Sequence, residues 1–164
     1  MKKLFALMLA LCLMLGGALA EEDTIQGEMF AMDTIGLQIF IPAEYAVDEN
    51  AATEDGSQLL YAWKATDDSG EFLKVAAMKI EGVEDLNGLL EFAQANISAD
   101  AEIVELESGL NVVMFFNDND GTVNAALMDT NANIIYFDMG PTEGQKEAAA
   151  AAFMVLLQTL SPLQ

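Results

Sequence analysis

Histidine and arginine are both missing from this chain, and its one cysteine, Cys12, lies in an apolar run close to the N-terminus. Each absence removes a chemistry. Without histidine there is no Ser-His-Asp machinery and no imidazole zinc site; without a second cysteine there is no disulfide. The histidine-free alternative, a serine activated by a lysine, finds no support in the spacing. Lys64, Lys74 and Lys79 fall in expected strands, whereas Ser57, Ser69, Ser98, Ser108 and Ser161 fall at ends and turns. No glycine-rich loop cradles phosphate: Gly16 and Gly17 belong to the N-terminal apolar run, and Gly82 and Gly88 lack a basic partner.

That N-terminal run has the form of a secretory signal peptide. Lys2 and Lys3 precede apolar residues from Leu4 to Leu15, and Ala18-Leu19-Ala20 supplies small residues for cleavage after Ala20. The run is shorter than the roughly 20 residues a membrane span needs, so no membrane insertion is expected once it is removed. A lipoprotein anchored through Cys12 is disfavoured, because bulky Leu11 precedes it and apolar residues follow. Residues 21–26 are expected to be a disordered start and residues 27–164 one domain, large enough for one core. Cleavage would also remove Cys12, leaving packing alone to stabilise an exported protein.

The mature chain would keep four lysines against 27 acidic residues, a formal charge of −23. Such a field repels nucleic acid and anionic lipid headgroups, and favours cations, basic partners and, above all, plain solubility.

What the chain does have is apolar periodicity. Leu110–Phe116, Thr122–Met128 and Ile134–Met139 are apolar runs separated by Asn, Asp, Gly and Thr, the pattern of an antiparallel meander. Two hairpins precede it. One joins Phe30 and Met32 to the alternating Leu37, Ile39 and Ile41 and stops at Pro42; the other joins SQLLYAWKA to EFLKVAAMKI. In the latter, Leu59, Tyr61 and Trp63 are expected on one face, with Leu60, Ala62 and Lys64 on the other. AEIVELESGL adds a strand and a turn, while the acidic stretch 48–56 reads as a solvated loop.

Two helices should cover the sheet on one side. The first carries Leu86, Leu89, Leu90, Ala93 and Ile97 at helical spacing. The second follows Gly140-Pro141, with Thr142 and Gln145 matching a capping box and Ala149, Ala152, Phe153, Leu156 and Leu160 as its buried stripe. The expected fold is therefore α+β, an antiparallel sheet of about six to seven strands in the order hairpin, hairpin, helix, meander, helix.

With this element order, the opening GLQIFIPAEY and the closing helix followed by QTLSP, the chain resembles the PsbP-like fold family from about Gly27 to Leu160. That family is known from the extrinsic PsbP subunit of photosystem II and from small exported bacterial proteins. The resemblance implies an antiparallel sheet between helices and a binding or accessory role instead of catalysis. Histidines implicated in metal binding by plant members have no counterpart here, so no functional residue carries over.

The nearest approach to a metal motif is NDNDG, Asn117 to Gly121. It is not an EF-hand, since Phe116 and Leu127 would occupy the first and twelfth ligand positions. A hairpin turn explains the same residues without a metal. Chain connectivity nevertheless brings this turn to the same end of the sheet as the turn holding Asp67 and Asp68, so Asp67, Asp68, Asp118 and Asp120 form the candidate site for weakly bound calcium. No other cofactor is expected. Paired carboxylates of a hydrolase are a further candidate, but 27 acids guarantee coincidental pairs.

The expected role is thus an exported, non-enzymatic domain that binds a protein or envelope component, with a calcium-dependent module and then a carboxylate hydrolase as alternatives. The three predict different surfaces: an apolar patch, a carboxylate cluster, or a cleft containing acids of raised pKa.

Overall fold

The computed structural model describes residues 25–53, 57–142 and 145–163. The expected signal peptide and part of the acidic loop lie outside the described residues. Among the described residues, ten strands and two helices follow in the order β1 (Gly27–Met32), β2 (Leu37–Pro42), β3 (Tyr45–Val47), β4 (Gln58–Ala65), β5 (Phe72–Met78), α1 (Leu86–Asn96), β6 (Glu102–Glu105), β7 (Asn111–Asn117), β8 (Thr122–Met128), β9 (Ile134–Gly140), α2 (Lys146–Gln158) and β10 (Ser161–Pro162).

Seven strands form one antiparallel sheet ordered β3-β4-β5-β9-β8-β7-β6, with the meander β7-β8-β9 at its centre and far side. The fold class is α+β as expected, but strand membership differs. The first hairpin does not join the large sheet; β1 and β2 pair with the short β10 in a separate three-stranded sheet. Strand β3 takes the edge beside β4, and β6 the opposite edge. Both edges are blunted against strand addition, β3 by its three-residue length and β6 by Glu102 and Glu105.

Because alternate residues of a strand face opposite sides, the central strands bury two apolar faces. On one face Leu73, Val75, Val123, Ala125, Leu127, Ile135 and Phe137 meet the hairpin residues Met32, Leu37 and Ile39 together with Phe153, Leu157 and Leu160 from the C-terminal segment. On the other, Val113, Ala126 and Ile134 meet Leu89 and Ala93 of α1. The helices therefore cover opposite faces, and the expectation of helices on one side is corrected. The physical reason is in β8 and β9, whose apolar residues occupy both parities and so need a roof on each side.

Two local departures have equally plain causes. The pairing of β4 with β5 slips between Leu59 and Tyr61, and this bulge lets Leu60 pack into the same core as Tyr61 and Trp63. Strict alternation placed Leu60 on the opposite face. At α2 the expected capping box is absent: Gln145 is the N-cap without a side-chain cap bond, and the helix starts at Lys146. Thr142 is held at the sheet end instead, buried and with its N–H donating 2.8 Å to the Gly121 carbonyl. Helix α1, by contrast, is capped by a side chain, Asp85 accepting 2.8 Å from the Gly88 N–H.

The buried stripe of α2 is also rotated from its expected phase. Phe153 and Leu157 are fully buried, Ala150 and Met154 pack beside them, Leu156 is half-buried, and Ala152 is exposed. The end of this helix is fastened to its surroundings by polar bonds. The Thr159 hydroxyl accepts 2.9 Å from the Phe40 N–H, and the Gln158 side-chain carbonyl accepts 2.7 Å from the Glu107 N–H. No helix among the described residues is long and apolar enough to cross a membrane.

Candidate functional site

In this phase α2 turns Ala148, Ala149 and Ala152 toward a cleft of about 720 Å³ between that helix and the ends of β2, β3, β5 and β9. Ala148, Ala149, Ala152 and Val155 form one wall; small side chains keep it low and shallow. Phe40, Pro42, Leu73, Met139 and Leu156 supply apolar surface opposite and below. Ile25 and Val155, 61% and 60% exposed, are two of the five large apolar side chains left open to solvent among the described residues, and both border this cleft.

The rim is acidic. Glu44, Asp68 and Glu71 line it, and no lysine does. The Tyr45 hydroxyl donates to the Glu71 carboxylate at 3.2 Å. Burial, then the charge and hydrogen bond of Glu71, pushes the Tyr45 phenol well above its usual pKa, so it remains a neutral donor throughout the ordinary pH range.

The sequence-derived calcium candidates behave differently from one another. The turns bearing them do open at the same end of the sheet, since Phe72 pairs with Gly140 and Asn117 with Thr122. Asp67, Asp68 and Asp120 border a second, polar groove of about 1180 Å³, together with Lys64, Lys74 and Asp138. Strand β9 separates β5 from β8, however, which puts two strand spacings, roughly 10 Å, between the turns. Calcium–oxygen bonds are about 2.4 Å. Asp67, Asp118 and Asp120 also have local work. Asp67 accepts from the Ser69 hydroxyl and N–H at 2.5 and 3.0 Å, and these bonds lower its pKa. Asp118 is ion-paired with Lys146, and Asp120 accepts 2.6 Å from the Asn117 amide. Among the described residues no group of three or more His, Cys, Asp or Glu stands close enough to hold a metal ion.

Asp67 and Asp129 have carboxyl pKa values displaced downward, opposite to what a general acid needs. Tyr61 and Trp63 are not a sugar platform: Trp63 is buried, and Phe30 meets both rings edge-on at 5.6 and 5.0 Å.

Sequence reasoning missed the cleft because its wall was assigned to the core. Five consecutive alanines carry no periodicity, and Val155, Leu156 and Leu157 are all apolar, so the phase of α2 rests on tertiary packing alone.

No protein-family profile matches the chain, and no curated protein does. Among solved structures it is similar to the solution structure of cyanobacterial PsbP (CyanoP) from Synechocystis sp. PCC 6803, with a TM-score of 0.57 and 13% identity over 89% of this chain and 98% of that one. At that identity the likeness shows the fold: the chain has a PsbP-like fold, as its element order suggested.

Proposed function

Starting from that fold, we propose that the chain is an exported, non-catalytic domain, residues 27–164 after cleavage at Ala20, that binds a protein component of the cell envelope through the cleft beside α2. The observation carrying this reading is the cleft itself, an apolar concavity flanked by exposed Ile25 and Val155. Export rests on the N-terminal sequence, and the absence of histidine and of cysteine beyond Cys12 supports a role without catalysis.

The test is retention of envelope proteins on the immobilised mature chain, compared with A152L, which fills the cleft from an exposed helical position. Binding lost in A152L and unchanged by chelator supports the reading; equal retention by both proteins contradicts it. A second reading, the weak calcium module, has in its favour that Asp67, Asp68 and Asp120 border one groove. It predicts binding abolished by chelator and a rise in Tm on adding calcium.

A further inference from the structure

The occupant of the cleft can be specified by charge. We infer that it is a cationic, apolar peptide segment, whose lysine or arginine side chains meet Glu44 and Glu71 while its apolar residues lie on Ala149 and Ala152. This rests on the cleft being the binding surface.

Three observations carry it. First, the cleft is apolar along the helix and acidic along the opposite rim, so an occupant must offer both characters within a few residues. Second, the protein has little cation of its own to neutralise that rim. Lys146, at the head of α2, is paired with Asp118, and Lys64 stands 3.6 Å from Asp48; neither lines the cleft. Third, charge rules out the occupants that need no partner. The mature N-terminus would begin Glu21-Glu22-Asp23, and a second copy would bring its own 27 acids against four lysines. Like charge opposes both, as it opposes anionic lipid and nucleic acid.

The probe is a blocked peptide of roughly ten residues alternating leucine and lysine, about 3.4 Å per residue when extended. Its affinity for the mature chain is measured by calorimetric titration at low ionic strength. Two peptides of the same length, leucine with glutamate and serine with lysine, separate the apolar from the charged contribution. The leucine–lysine peptide should bind, the serine–lysine peptide should bind about tenfold more weakly, and the leucine–glutamate peptide should not bind. E44Q/E71Q and V155K should each weaken the leucine–lysine peptide about tenfold, with circular dichroism unchanged because all three sites are exposed.

Equal affinity for the two lysine peptides would overturn the inference, reducing the effect to general attraction by an acidic protein. So would wild-type affinity in both variants. Binding abolished by A152L but indifferent to E44Q/E71Q would keep the cleft as the binding surface and remove the cationic occupant. Indifference to A152L would remove both.

Discussion

Asp129 braces the β8–β9 turn with its side chain, beside the backbone bond from its N–H to the Asn133 carbonyl. Its carboxylate accepts from the Asn131 N–H at 2.7 Å and from the Asn133 N–H and side-chain amide at 2.8 and 2.6 Å. Burial works against its charge, but these bonds outweigh it and hold its pKa below the usual carboxylate value. A depressed pKa stabilises the fold above the unfolded value near 4, and that contribution is lost as pH falls through the folded pKa. D129A should therefore cost about 1 kcal/mol at pH 7, with the gap to wild type closing below about pH 4 in urea melts. At Tyr45 the sign is reversed. Its raised pKa means the fold prefers the protonated phenol, so stability declines as pH rises past the unfolded value near 10. Ultraviolet titration should show the Tyr45 midpoint moving down toward 10 in E71Q, because Glu71's charge is removed while burial remains.

At the scale of elements, neighbouring positions on α2 should have opposite fates. Phe153 is fully buried in the main core, and F153A should cost about 3–5 kcal/mol. Ala152 is exposed on the cleft wall, and A152L should shift Tm by no more than a degree or two while blocking the cleft. Thermal melts of the pair decide whether α2 docks in the phase described. The strands were much more legible than this helix. Expected runs at Leu110–Phe116, Thr122–Met128 and Ile134–Met139 match β7, β8 and β9 to within one residue, because alternation and turn residues agree there. The slip at Leu60 and the pairing of β2 with β10 were not legible: a bulge leaves no compositional trace, and β10 is a two-residue contact 123 or more residues from its partner.

For the whole molecule, the organising fact is a sheet apolar on both faces, roofed on one by α1 and on the other by α2 and the β1-β2 hairpin. Among the described residues, a polar groove and the acid-rimmed apolar cleft remain open. The carboxylates that local sequence drew attention to are dispersed among turns, whereas the cleft is assembled from β2, β3, the β4–β5 turn, β9 and α2, segments that no local pattern connects. A site of that kind becomes visible only when the chain is folded. The most direct test is the amide chemical-shift map of the mature chain during titration with the leucine–lysine peptide. Changes concentrated at Tyr45, Glu71, Ala149, Ala152 and Val155 are predicted; changes scattered over the acidic turns, with these five amides unmoved, would contradict the account.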